Sequence, residues 1–464
     1  MSTNGKDGLD AADGAAAIPL RRRWARSLAV IEIRARLLVL CCGALANAGA
    51  PALAAQTSTD VAQPLAQPRS QGFSPERLQR LDHFLEDATD ENGYLGAVTL
   101  IARHGKIVEA RAFGHRDFER RAPMQTDSIF RIYSMTKTIT TVAALILMEE
   151  GKLTLDDPVG KYLPEFSSMQ VLAGGTADKP ELRAAARKLT IHHLLTHTAG
   201  FATRGGDAER AAHTLLDRAD LHDSASLKDY AERVSRAPLA VDPGTRFNYD
   251  GVQIEVLSRL IEVVAGMPFE TFVQQRILDP LKMADTGFSV PPEKRGRIAD
   301  ITKMGDDGKL VRTKGQSAAA PGERQHAYPS GAGGLYSTAA DYARFCQMLL
   351  DGGELDGASI LGRKTVESMM QNHLTMLEKP VTEFTDADGF GLGGSVLIDP
   401  ARRGRLGSPG QFGWSGAAST YYTIDPQEQL IAILLMQHLP REDMHDLPRI
   451  SANFYNLVYQ ALTR

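Results

Sequence analysis

The stretch FRIYSMTKTITTVAALILMEEGKLTLDDP, Phe130–Pro158, decides how the rest of the 464-residue chain is read. It contains Ser134-Met135-Thr136-Lys137, an S-x-x-K. Positions i and i+3 of a helix lie on one face, one turn apart, so a serine hydroxyl and a lysine amine at this spacing can meet. Serine alone is a poor nucleophile and needs a base beside it. Lysine supplies one when partial burial or a neighbouring cation makes its neutral form accessible. Thr138 to Glu150 is an apolar-rich helical run, and Gly151 ends it as glycine commonly does. Ser134 is therefore expected at the N-terminal end of a mostly buried helix, where the helix dipole favours developing negative charge.

Composition sets the frame. The chain is 43% hydrophobic and 23% charged, enough for one large domain with an insert or for two lobes. A net charge of −4 gives no reason to expect a nucleic-acid partner. Beyond the N-terminal region no apolar run is long enough to span a bilayer. Arg21, Arg22, Arg23, Arg26, Arg34 and Arg36 precede LLVLCCGALANAGAPALAAQ. Basic residues, a short apolar core and small residues read as a signal peptide over residues 1–55, which implies a secreted or periplasmic protein. Left uncleaved, the same segment would tether the chain to a membrane. The cysteines are Cys41, Cys42 and Cys346, so loss of the leader leaves one thiol and no internal disulfide. Cys346, in ADYARFCQMLL, reads as core packing.

Residues 56–72 are rich in Ala, Pro, Gln and Ser and read as a disordered linker. Ser74-Pro75 opens a helix, SPERLQRLDHFLEDATD. Gly96–Arg103 and Lys106–Phe113 are β-type runs joined by His104-Gly105, a hairpin signal. Leu189 to roughly Leu281 reads as helical. His192, His193 and His197 cluster there, but without H-E-x-x-H or a carboxylate at ligand spacing they give no metal site. Asp300–Gly331 reads as a long loop over the site. Strand-like runs return at 389–398, 417–425 and 430–438, and a helix closes the chain. The pattern predicts an α/β protein of the α+β kind. Its antiparallel sheet comes from both chain ends and is flanked by helices, within a folded domain over 73–464. An all-α lobe is inserted at roughly 150–330.

The run IYSMTKTITTVAALILMEEGKLTLDDPVGKYLPEF resembles the nucleophile helix of the serine β-lactamase and penicillin-binding-protein superfamily. Within it, the run is most similar to the class C-related branch, with family VIII carboxylesterases and aminohexanoate-oligomer hydrolases. The resemblance runs from roughly Phe73 to the C-terminus and implies that superfamily's α/β domain plus all-α domain. PGTRFNY ahead of VLSRLIE resembles the second motif, which would make Tyr249 the catalytic tyrosine. Gly251 then stands where β-lactamases carry an asparagine that holds the side-chain amide of a β-lactam. GQFGWSGAASTYYTID places Trp414-Ser415-Gly416 where β-lactamases have Lys-Thr-Gly and the esterases have Trp-x-Gly. The same mapping assigns the oxyanion hole to the backbone N–H groups of Ser134 and Ala417.

The expectation is a serine hydrolase acting through an acyl-enzyme on a small ester or amide. Ser134 is the nucleophile, Lys137 and Tyr249 move its proton, and no metal or organic cofactor is implied. Trp414 offers an apolar ring in place of a cation, which favours uncharged substrates over an anionic β-lactam. A β-lactamase or D-alanyl peptidase and a linear amide-oligomer hydrolase are the alternatives within this chemistry. A non-catalytic binding or sensor domain is the alternative outside it. Gly413-Trp414-Ser415-Gly416-Ala417 lacks the last glycine of G-x-S-x-G, which speaks against an α/β-hydrolase elbow.

Overall fold

The computed structural model describes residues 65–201, 207–313, 319–441 and 446–463. The expected leader and the first part of the expected linker lie outside them. The rest of that linker is not one. Pro68–Gln71 form a 3-10 turn, Ala66 N–H donates to Ile107 O at 2.8 Å, and Phe73 bridges Leu462. Residues 65–72 thus begin the folded domain, because their backbone pairs with a sheet edge and with the far end of the chain.

Ser74 caps α1 (Pro75–Ala88) by accepting from Arg77 N–H, with Pro75 in the first turn. β1 (Gly96–Arg103) and β2 (Lys106–Gly114) turn at His104 and Gly105, whose φ values of 51° and 71° are those of the two-residue turn that matches strand twist. α2 (Thr136–Glu149) follows, buried over nearly its whole length.

The inserted region carries helices at Ile191–Leu195, Asp207–Asp217 and Leu227–Val234, then α3 (Val252–Ala265). It is not all-α. β3 (Gln170–Gly175) and β4 (Pro180–Ala184) form a hairpin, and Thr302–Met304 pairs with Leu310–Arg312 inside the stretch expected as a loop. Neither hairpin has apolar alternation to announce it. Of β3 and β4 only Val171 is buried, and backbone bonds to Leu239 anchor the pair. The end of the expected loop, Ser330 and Gly331, does reach the site, with Ala332 just beyond it.

α4 (Ala339–Leu350) precedes the remaining strands of the large sheet: β5 (Asp388–Phe390), β6 (Ser395–Leu397), β7 (Phe412–Gly416), β8 (Thr420–Asp425) and β9 (Leu430–Met436). α5 (Ser451–Gln460) ends the fold. The sheet runs β5-β6-β7-β8-β9-β1-β2, antiparallel throughout, so strands from the two chain ends meet at its centre. Ala97 pairs with Met436 and Arg103 with Leu430. Leu430, Ala432, Leu434 and Met436 point to α1 and α5, whereas Ile431, Ile433 and Leu435 point to the core of α2 and α4. Cover on both faces explains why β9 reads as unbroken apolar sequence rather than as alternation.

Candidate active site

Ser134 does not lie in α2 proper. Tyr133–Met135 make a 3-10 turn that leads into the helix. Tyr133 has φ 44°, a left-handed conformation costly for a side chain of this size. The guanidinium of buried Arg131 sits 4.7 Å from its ring centroid. This turn leaves Ser134 partly exposed while Lys137, in the first turn of α2, is buried. Lys137 Nζ lies 3.1 Å from Ser134 Oγ and donates to Ala332 O at 2.7 Å. The two motif residues therefore meet, with the amine fixed by a backbone carbonyl from a distant loop.

Tyr249 comes from the segment ahead of α3. Lys137 Nζ is 5.1 Å from its ring centroid. Its hydroxyl accepts a hydrogen bond from Trp414 Nε1 at 2.9 Å. Trp414, on β7, stands edge-on to Phe390 at 5.2 Å. Phe384, 52% exposed, lies 5.9 Å from Tyr249 and 6.0 Å from Trp414 between ring centroids. The three rings make an apolar wall that opens to solvent. Gly251, at the N-cap of α3, faces Ala332: a Cβ built on it would start 3.4 Å from the Ala332 Cβ.

β7 is held against the Tyr133–Met135 turn at Gly416. A Cβ there would fall 2.4 Å from Ile132 O and 2.2 Å from Thr420 Oγ1, so only glycine permits the approach. Ser415 pairs with Tyr421, and the exposed Ala417 starts the turn into β8. β6 pairs with β7 only at Phe412 and Gly413, so among the described residues the Trp414–Gly416 end has no strand on that side.

Three residues that the sequence pattern did not mark are brought here. Phe384 lies in a polar segment with no periodicity. His197 reads in the sequence only as one of three clustered histidines, with nothing to tie it to Tyr249. Its φ of 56° folds it back beneath Tyr249, ring centroids 4.6 Å apart. Its Nδ1 lies 3.2 Å from Gln253 Nε2, and burial, then the charge of Lys137, hold its pKa well below the usual range. It is a neutral floor for the tyrosine. His192 instead pairs with His373 at 3.1 Å, and among the described residues no group of His, Cys, Asp and Glu could hold a metal. The third is Glu255, which faces the Ser330–Ala332 loop from α3.

A serine–lysine pair opening a buried helix, a tyrosine ahead of a second helix and an open strand end beside both are the parts of an acyl-transfer site on a serine hydrolase fold. The chain belongs to the Beta-lactamase family, whose profile matches residues 81–454. Esterase EstB of Burkholderia gladioli is 32% identical over 375 residues, covering 77% of this chain and 89% of EstB. Monacolin J acid methylbutanoyltransferase of Aspergillus terreus is 29% identical over 385 residues, covering 77% and 90%. Among solved structures, EstCE1, described as a hydrolase with promiscuous acyltransferase activity, superposes with a TM-score of 0.67 at 25% identity, over 84% of this chain and 99% of that one.

Proposed function

We propose that the protein is a carboxylesterase that works through an acyl-enzyme on Ser134. The observation that carries this reading is Trp414. It presents an indole ring to the site and gives its N–H to Tyr249, where β-lactamases by the motif mapping offer a lysine. Such a wall favours a neutral acyl or alkyl group over a carboxylate. Gly251 adds to it, since glycine offers no amide to hold the side chain of a β-lactam. The name of EstB agrees with this direction.

The geometry supports the following chemistry. One N–H of Lys137 is occupied by Ala332 O, so a neutral amine can turn its lone pair to the Ser134 hydroxyl. The proton moves to Nζ as Oγ attacks the ester carbonyl, and N–H groups at Ser134 and Ala417 receive the oxyanion. Tyr249 relays the proton to the leaving alcohol. Water then repeats the sequence on the acyl-enzyme.

The test compares kcat/KM for p-nitrophenyl acetate and butyrate with that for nitrocefin and benzylpenicillin, using Ser134→Ala as the control. Esters are expected to be turned over at least tenfold better, because a site lacking partners for buried polar groups rejects substrates that need them. A β-lactam better by tenfold overturns the esterase reading. Turnover of a linear amide oligomer alone would put the protein with the amide hydrolases.

A further inference from the structure

Glu255 lies six residues after Tyr249 and is buried on α3. Its carboxylate accepts from the Ser330 hydroxyl and, at 3.1 Å, from Gly331 N–H, and the N–H of Ala332 is aimed at it as well. The carbonyl of that same Ala332 accepts from Lys137 Nζ at 2.7 Å. One residue therefore joins the carboxylate on its N–H side to the lysine on its carbonyl side. The loop has no slack. Gly331 O accepts from Thr140 Oγ1 on α2 at 2.8 Å, and a Cβ on Gly331 would fall 2.0 Å from Ser258 Oγ on α3. Contacts run from Glu255 through Ala332 to Lys137 and on to Ser134.

The charges around the carboxylate are few. Lys137 faces it from α2, Tyr230 from the helix Leu227–Val234, and Tyr328 from the segment leading to Ser330. Both tyrosines are held neutral by burial, with the Glu255 charge adding to it. Lys137 is thus the opposite charge that matters. Burial pushes Glu255 up to about 7, while the Ser330 hydroxyl, the Lys137 charge and the two backbone N–H groups pull it down.

We propose that Glu255 is a positioning residue for acyl transfer: it fixes the Ser330–Ala332 loop so that Ala332 O holds Lys137 against Ser134, and its charge, facing that lysine, shapes the pH dependence of the transfer. This rests on the reading of Lys137 as the base. An ionised carboxylate favours the ammonium form, so its removal frees the amine at lower pH.

The test is the rate at which an alkyl fluorophosphonate labels Ser134 in the full chain, measured by intact mass from pH 5 to 9. This readout needs no natural substrate. Glu255→Gln is expected to move the midpoint of the acid limb down by at least half a unit, with a several-fold lower plateau. Glu255→Asp, which keeps the charge, is expected to label more slowly at an unmoved midpoint. A Gln variant whose midpoint matches the wild type overturns the proposal, whatever its plateau, since a purely structural role would lower the rate without moving the profile. Should Glu255→Gln not fold, Ser330→Ala carries the test: loss of that donor weakens the ionised carboxylate, so the midpoint moves down by a smaller step, and an unmoved midpoint overturns the proposal. Wild-type protein that does not label at any pH overturns the serine-hydrolase reading instead.

Discussion

Trp414 Nε1 donates to Tyr249 OH at 2.9 Å while the two rings lie 4.8 Å apart at 47°. One side chain thus holds the phenol by its oxygen and walls the site with its ring. Because the phenol oxygen accepts the indole N–H, the hydroxyl hydrogen is left to point elsewhere. The lysine below approaches the tyrosine through its ring face, at 5.1 Å from the centroid. The tyrosine is therefore aimed by a strand from one chain end and a helix from the other.

The two tasks of Trp414 separate in Trp414→Phe, which keeps an aromatic ring and removes the donor. A neutral hydrogen bond is worth about 1 kcal/mol, so kcat for p-nitrophenyl butyrate is expected to fall about three- to tenfold, with KM within about twofold. Trp414→Ala removes the wall too and is expected to raise KM as well. Steady-state kinetics on both variants check this. A Phe variant with unchanged kcat and a raised KM would show that the ring matters and the N–H does not.

Glu109 gives a stability prediction away from the site. It lies on β2 with Oε1 buried and unpaired among the described residues. Burial, then the charge of Asp82, push its pKa up to about 8, against the pull of Arg111, which pairs with Asp82 at 2.9 Å. The folded value exceeds the unfolded value near 4.5, so the native state binds the proton more tightly. The stability from this group is whole below about pH 4.5, falls as the pH rises, and is gone above about 8. Glu109→Gln cannot ionise and is expected to match the wild type near pH 4.5 and to melt a few degrees higher at pH 9. Paired thermal melts across that range check it, and a difference in Tm that does not grow with pH would refute the assignment.

What the sequence made legible follows from range. The S-x-x-K spacing is local, and it brings Ser134 and Lys137 within 3.1 Å even though the serine sits in a 3-10 turn rather than in the helix. The sheet from both chain ends was legible because its strands are apolar and bounded by turns. Glu255 was not. In VQIEVLSRL it looks like the polar face of a surface helix, and only the loop at Ser330, 75 residues away, makes that face an interior. The β3–β4 hairpin failed for the opposite reason: it is held by backbone pairing and buries too little to leave a pattern.

Phe384 tests how far the aromatic wall extends toward substrate. Its ring packs on Tyr249 and Trp414, yet it is 52% exposed, so the fold gains little from it. A half-exposed phenylalanine beside the tyrosine is well placed to take an apolar chain leaving the reacting carbonyl. Each buried CH₂ contributes about 0.8 kcal/mol, roughly fourfold in rate, so the wall should reward butyrate over acetate by up to about fifteenfold if both extra carbons reach it. Phe384→Ala is expected to remove most of that preference, to leave kcat/KM for p-nitrophenyl acetate within about twofold, and to shift Tm little, as surface substitutions do. The measurement is the ratio of kcat/KM for the two esters in wild type and variant. If neither kcat/KM changes, the acyl chain does not lie on Phe384, and the exposed ring plays no part in selection. If both esters lose equally, Phe384 acts by holding Tyr249, which Glu383 also touches through the Tyr249 N–H at 3.2 Å. Only a loss confined to the longer ester makes Phe384 a wall of the acyl pocket.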